Sequence, residues 1–352
     1  MKSEERQLEV LKHIVDIFIE TGEPASSLAV CERLQNSVSS ATIRNDMAKL
    51  ERLGYLQQPH TSAGRIPTYK GFRVYVESLI KLHYLTTSEK NEIKGLLEGD
   101  FASVGEIIEN AALALADYTE LAVVALDNVK KFFIISKVDV VEAGKRIYSV
   151  FIVAFSGEVK SKVCRLTFDV TKEQIDCFKK VINENLIGNT IDVLDDKLME
   201  CLATSLGCYV SGLLPFLKAI YDISDEISKN NVNFKGEKNL LKYDGLKASE
   251  LIEFMSEKNK IKEILADAFS GINIFFGKEN DRFVLGNSSF IVTKYGVKED
   301  FGSFGVVGPI RLNYKKILPY VSFFSQTVTN MIEDLTEETK GGDGCEETTK
   351  KK

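Results

Sequence analysis

Apolar residues recur every three to four positions from about Ser3 to Glu20, where Leu8, Leu11, Ile14, Val15, Phe18 and Ile19 share a side. That period predicts an amphipathic helix. Gly22 ends it and Pro24 prevents its continuation. Ser26 or Ser27 then caps a short second helix that turns Leu28, Val30 or Cys31, and Leu34 inward. The turn Gln35-Asn36-Ser37-Val38 leads to the second N-cap, at Ser39-Ser40, and to a third helix over 40–53 that Gly54 stops. Ile43, Met47, Leu50 and Leu53 form its inward stripe. At about 100° per residue, Ala41, Arg44, Asn45, Ala48 and Arg52 point the other way. The flanks 55–58 and 65–68 can both be extended, with Pro59 and Pro67 confining them to edge positions, as in a two-stranded hairpin. Thr68 caps a fourth helix, about 69–82, with Phe72, Tyr75, Val76, Leu79 and Ile80 on its apolar face. Helix, short helix, turn and capped helix is the layout of a helix-turn-helix, and a hairpin after the third helix is the wing of a winged helix.

Beyond Thr86 the pattern predicts helices at 88–98 and 101–118, then strands at 121–126, 132–141, 147–155 and 158–168. A helical zone spans 172–228, followed by a polar stretch at 229–239 and more helix at 248–269. Strands follow near 272–276, 282–285, 289–296 and 303–308, and a last helix covers 314–335. The strand runs are not each separated by a helix, so an α+β fold with helices covering an antiparallel sheet fits better than a doubly wound one. The helical zone interrupts the strands and reads as an insertion. From Glu337 the chain is polar and ends in three lysines, the composition of a disordered tail.

Length and composition narrow the class. At roughly 150 residues per domain, 352 residues make two or three domains. A chain 44% hydrophobic and 27% charged is neither wholly disordered nor a collagen-like repeat nor a disulfide miniprotein. No apolar run reaches the ~18 residues of a membrane span. The charged start, Met1 to Arg6, lacks the apolar core of a secretion signal, so a cytoplasmic protein without membrane contact is expected. The six cysteines (31, 164, 177, 201, 208, 345) form no C-x-x-C pair, and the histidines (13, 60, 83) lie apart from them, so no metal site or other cofactor is expected. Cys201 and Cys208, seven apart, share a helix face and read as small buried apolar residues.

The net charge of −6 argues against a nucleic-acid partner until its distribution is considered. Between 44 and 73 six cations (Arg44, Lys49, Arg52, Arg65, Lys70, Arg73) face only Asp46 and Glu51. On the outer side of the third helix, an Arg can bond guanine bidentately and an Asn can bond adenine, while alanines allow close approach to base edges. Arg44, Asn45, Lys49 and Arg52 are therefore candidate DNA contacts. Ser39, Ser40 and Thr42 near the helix start are candidates for phosphate. Arg65 beside Gly64 suits phosphate or the minor groove, Lys70 and Arg73 suit flanking phosphates, and His60 suits either phosphate or an ordinary turn. An enzyme is the weaker reading. Gly302, Gly305 and Gly308 resemble a phosphate loop in spacing only, because the strand–G-x-G-x-x-G–helix context is missing, and hairpin glycines fit better. The pair Asp195-Asp196 reads as a solvated helix face.

The stretches Ser39-Ser40-Ala41-Thr42-Ile43-Arg44-Asn45-Asp46-Met47, Leu53-Gly54-Tyr55-Leu56 and Gln58 through Thr68, with Gly71, closely resemble the HrcA family of bacterial heat-inducible transcription repressors. Gly305 through Tyr314 is similar to that family's C-terminal signature, with Leu312 where methionine is commoner, whereas Gly271–Asn280 departs from the usual form. The resemblance implies a homodimer with an N-terminal winged helix (1–75), a connector (76–87), a GAF-like domain (88–171 and 240–336) and an inserted dimerisation domain (172–239), before the tail 337–352. It further implies repression of chaperone operons from an inverted-repeat operator in double-stranded DNA, with activity maintained by the GroEL-type chaperonin. A small-molecule-responsive winged-helix regulator that uses the GAF-like domain as sensor is the alternative.

Overall fold

The computed structural model describes residues 3–35, 37–60, 63–79, 85–127, 133–191, 196–205, 210–228, 232–243, 247–269, 271–277, 285–296 and 302–341. His83, Asp195, Cys208, Cys345 and the expected strand residues 282–284 lie outside them.

The N-terminal unit contains α1 (Ser3–Thr21), α2 (Ser27–Arg33), α3 (Ser40–Arg52), β1 (Leu56–Gln57), β2 (Ile66–Pro67) and α4 (Tyr69–Leu79). Its start signals act as the side chains dictate: Ser26 accepts from the Ala29 N–H and Ser39 from the Thr42 N–H, which satisfies donors that a helix start leaves open. The two short strands pair antiparallel, Leu56 with Pro67 and Gln57 with Ile66. Ala25 extends this ribbon, exchanging two 2.9 Å backbone hydrogen bonds with Arg65. That approach requires Gly64, where a Cβ would lie 2.2 Å from the Ala25 carbonyl oxygen.

Val10, Leu11, Ile14 and Val15 of α1 pack with Ile43, Met47 and Leu50 of α3, and with Leu56 and Phe72. Two expected core residues are outside. Leu53 is 54% exposed because it occupies the C-cap of α3, and Leu28 is 64% exposed. On α3 the inward position is taken by Asp46.

The rest comprises α5 (Thr87–Leu97), α6 (Val104–Thr119), β3 (Ala122–Asp127), β4 (Ile135–Gly144), β5 (Ile147–Ala154), β6 (Val159–Arg165), α7 (Lys172–Leu186), α8 (Asp196–Ser205) and α9 (Val210–Ser228). It continues with β7 (Val232–Lys235), α10 (Glu237–Leu240), α11 (Ala248–Ser256), α12 (Lys258–Ala266), β8 (Ile272–Phe276), β9 (Ser288–Tyr295), β10 (Gly302–Pro309) and α13 (Tyr314–Gly341). The fold is α+β with antiparallel sheets. One sheet has the order β7-β3-β10-β9-β8. Its strands alternate inward residues to two sides: Val123, Ala125, Ile291 and Val306 meet α6 and α13, while Val124, Phe290, Val292 and Val307 meet α11 and α12. A sheet covered on both faces needs apolar residues at successive positions, which is why β9 and β10 are buried almost throughout.

The second sheet, β4-β5-β6, is separate. Its inner face, Val138, Val140, Tyr148, Val150 and Ile152, packs on Phe178, Ile182, Phe216 and Ile220 of α7 and α9. This corrects the expected borders: residues 133–171 join the helices of 172–228 in one core and do not pair with the five-stranded sheet. The insertion therefore lies between β3 and β7. The polar stretch 229–239 holds β7, which pairs with β3, and the start of α10. Leu285 belongs to no strand, and the helix expected over 248–269 breaks at Glu257. Residues 337–341, expected to be disordered, continue α13. Cys201, expected to be buried, is exposed. Gly302, Gly305 and Gly308 lie, as expected, in a hairpin: all three are in β10, antiparallel to β9, where Leu126 and Tyr295, Phe290, and Leu121 and Leu312 respectively occupy the space of a Cβ.

Candidate nucleic-acid interface

The roll of α3 about its axis decides which side chains face outward, and a charged pair helps to set it. Asp46, 3% exposed in its side chain, accepts from Arg6 Nε at 2.6 Å, and Gln7 of α1 reaches its other oxygen at 3.4 Å. A buried carboxylate needs such partners, so α3 cannot roll without stranding it. Arg44, two residues earlier, is turned about 200° from Asp46 and faces solvent. Arg44, Asn45 and Lys49 are all exposed, and among the described residues their side chains have no hydrogen-bond or ion-pair partner.

The helix start carries hydroxyls that are partly committed. Ser39 Oγ caps the helix and lies 2.9 Å from Thr42 Oγ1, and Ser40 Oγ lies 3.0 Å from Ser27 Oγ of α2. The Ser27–Ser40 contact joins α2 to α3, and the Ser39–Thr42 bonds hold the first turn of α3 in place. At the other end, exposed Arg52 donates from Nε to the Ala48 carbonyl at 3.4 Å.

Of the remaining candidates, Arg65 and Lys70 are engaged within the unit. Arg65 is paired with Glu51 of α3, its Nε 3.0 Å and its second guanidinium nitrogen 2.9 Å from Oε2. The Lys70 ammonium donates to the Leu53 carbonyl at 3.0 Å and sits 4.5 Å from the centre of the Tyr55 ring. It thus places a cation on the C-terminal end of α3, where the helix dipole favours one. Arg73 lies 6.0 Å above the Phe276 ring of β8, at the junction with the five-stranded sheet. His60 is exposed, and its carbonyl accepts from Ala63 N–H at 2.9 Å; residues 61–62 lie outside the described ones.

One helix face thus gathers Arg44, Asn45 and Lys49, with the hydroxyl-bearing start beside them, while Arg65, Lys70 and Arg73 serve internal contacts. The sequence reading missed Asp46 and Arg6 as the elements that orient this face. The two are 40 residues apart on different helices, so spacing carries no signal of the pair. Among the described residues no group of three or more His, Cys, Asp or Glu side chains could hold a metal, and no helix is long and apolar enough to cross a membrane.

Residues 105–318 match the family described as HrcA protein C terminal domain. A heat-inducible transcription repressor HrcA of Acetivibrio thermocellus is 33% identical over 340 residues, 94% of this chain and 97% of that protein. The repressor of the same name from Shouchella clausii is 28% identical over 93% of this chain and 98% of its own length. The crystal structure of a hypothetical protein at 2.2 Å resolution aligns with a TM-score of 0.65 at 27% identity, covering 94% of this chain and 98% of that one. The named relatives are repressors of transcription in the heat-stress response, not enzymes. With a family match over more than half its length and a relative alike along nearly all of it, the chain belongs to the HrcA family of heat-inducible transcription repressors.

Proposed function

We propose that this chain represses transcription by binding DNA sequence-specifically, with residues 1–79 acting as a winged helix whose α3 enters the major groove. The observation that carries the reading is the outward trio Arg44, Asn45 and Lys49. A helix anchored on its inner side by Asp46 presents two base-reading side chains and a phosphate-reaching one without internal partners. Arg44 serves as the guanine reader and Asn45 as the adenine reader, each worth about 1–3 kcal/mol of discrimination. Ser39, Ser40, Thr42, Lys49 and Arg52 hold the backbone, with help from the free N–H groups at the helix start. His60, Arg65, Lys70 and Arg73 are flanking contacts. For Arg65 and Lys70 this requires exchanging Glu51 or the Leu53 carbonyl for a phosphate.

The protein acts as a homodimer on an inverted repeat, in the cytoplasm, and blocks the promoter sterically. Two α3 helices related by the dimer axis reach successive major grooves on one side of the duplex. Support for pairing comes from the outer face of β4-β5-β6, where Val141, Val159 and Val163 are 51%, 52% and 67% exposed beside Phe151. These exposed valines alternate with Asp139, Ser149 and Ser161 on the same face, a mixed surface that suits a dimerisation role for the inserted unit. The five-stranded sheet with its helices is the GAF-like domain in this reading. The regulated genes are chaperone operons, and the GroEL-type chaperonin maintains the active state.

The test is a footprint by the full chain on the DNA upstream of its host's chaperone operons, with and without chaperonin and ATP. Protection of two half-sites in one repeat, strengthened by chaperonin, is expected. Uniform protection without a preferred site would overturn the DNA-reading claim, and an unchanged active fraction would remove the chaperonin claim.

A further inference from the structure

The segment that follows β10, joined at one place by Phe276 at the end of β8, touches the N-terminal unit at three points. At the first, the Arg311 guanidinium lies against Gly22, so close that a Cβ there would come within 2.0 Å of one of its nitrogens. Gly22 has φ +75 and directly follows α1, whose last turn contains no basic residue. Arg311 therefore adds a cation from beyond the unit to the C-terminal end of α1, where Arg33 of α2 already pairs with Glu20. At the second point, Lys315 Nζ donates to Asp16 Oδ2 at 2.8 Å, and the Tyr75 hydroxyl donates to the other oxygen at 2.5 Å. Asp16 is only 14% exposed, so α1, α4 and α13 share one carboxylate. Burial first, and Asp16 second, push the Tyr75 phenol far above its ordinary range, so it stays a donor at any physiological pH. At the third, the Phe72 ring of α4 lies 6.0 Å from Phe276 and 6.3 Å from Tyr314.

None of these residues belongs to the outward face of α3, yet they hold α4 and α1, and α1 is one of the two helices, with α2, against which α3 packs. We propose that Arg311 and Lys315 are positioning residues that fix the direction in which the N-terminal unit presents α3. In a dimer this sets the spacing between the two half-sites that the protein accepts. The inference rests on the DNA-binding reading above. A unit held by three contacts on two helices is restrained against hinge and roll motion, whereas a tethered unit would tolerate any spacing within its linker's reach.

Two measurements on the full chain test it. In the first, a duplex selected by the protein from a randomised pool is compared with the same duplex carrying an extra 5 bp between half-sites (about half a helical turn) and with a single half-site. The unaltered protein is expected to lose about tenfold or more in affinity on the lengthened duplex. The Arg311→Ala/Lys315→Ala double variant is expected to lose less than about threefold, with half-site affinity unchanged, and Arg311→Lys/Lys315→Arg should restore discrimination. Equal discrimination by both proteins would overturn the proposal. The second measurement needs no DNA: spin labels on non-natural residues at exposed positions 32 and 259 report the distance between the N-terminal unit and α12. A narrow distribution that broadens in the double variant supports the proposal even if no duplex is bound specifically, an outcome that would sink only the DNA reading. An unbroadened distribution counts against the proposal whatever the DNA result.

Discussion

Asp46 of α3 and Arg6 of α1 form an ion pair of 2.6 Å across the N-terminal core, and the carboxylate is almost fully enclosed. Removing Arg6 strands that charge, while Asp46→Asn keeps shape and hydrogen bonding. A fully buried pair broken on one side loses about 3–5 kcal/mol. Because Arg6 is the chief partner of a nearly enclosed carboxylate, we expect Arg6→Ala to lower the stability of the unit more than Asp46→Asn does. Amide hydrogen exchange in α1 and α3 across a urea series measures both.

Two glycines of the same unit separate steric from conformational demands. At Gly64 a Cβ meets the Ala25 carbonyl oxygen, so Gly64→Ala must displace the Ala25–Arg65 bridge and should lose about 2–3 kcal/mol. Gly54 has φ +77 and open space around it, so Gly54→Ala carries only the left-handed backbone penalty, about 1–2 kcal/mol. Thermal unfolding of the two variants should rank them in that order.

The cations of the candidate interface should divide by what already engages them. Lys49→Ala removes a free ammonium, weakens operator and random DNA alike, and lowers the slope of log affinity on log salt by about 0.9. Lys70→Ala removes one already spent on the Leu53 carbonyl, so its salt slope should change by less than half as much while the end of α3 loosens. Affinity measured over a salt series checks both.

In the inserted unit Asp139 accepts from Lys179 at 2.6 Å, Lys137 at 2.8 Å and the Val140 N–H at 2.8 Å. Burial pushes its pKa upward, and these three donors outweigh that effect and bring it to about 2. The folded value lies below the unfolded one of about 3.9, so the stabilisation is complete above that pH and is lost as pH falls toward 2. With the side chain 27% exposed, about 1–2 kcal/mol is at stake after solvent screening. Asp139→Asn should forfeit it at neutral pH and flatten the pH dependence of β4 amide protection between about pH 4 and pH 2.

Local chemistry made the N-terminal unit readable. Ser39, Gly54, Pro67 and Thr68 act within a few residues of themselves, so cap, stop, strand edge and helix start follow from residue type. The partition of the strands was not readable, because alternation in 135–165 reveals a half-buried strand without saying which sheet it joins. β7 was hidden for a similar reason: Val232-Asn233-Phe234-Lys235 looks polar in isolation and becomes a strand by pairing with β3 more than a hundred residues earlier. At the candidate site, the outward Arg44 and Asn45 followed from helical period. The engagement of Arg65 by Glu51 and of Lys70 by Leu53 did not, since each joins different elements.

The central claim, that α3 reads bases, meets its most direct test in Arg44→Ala measured on two duplexes, the selected operator and a scrambled copy, at one salt concentration. The account predicts that the variant loses about 1–3 kcal/mol on the operator and little on the scrambled duplex, so that discrimination collapses with folding intact. Equal losses on both duplexes would contradict it.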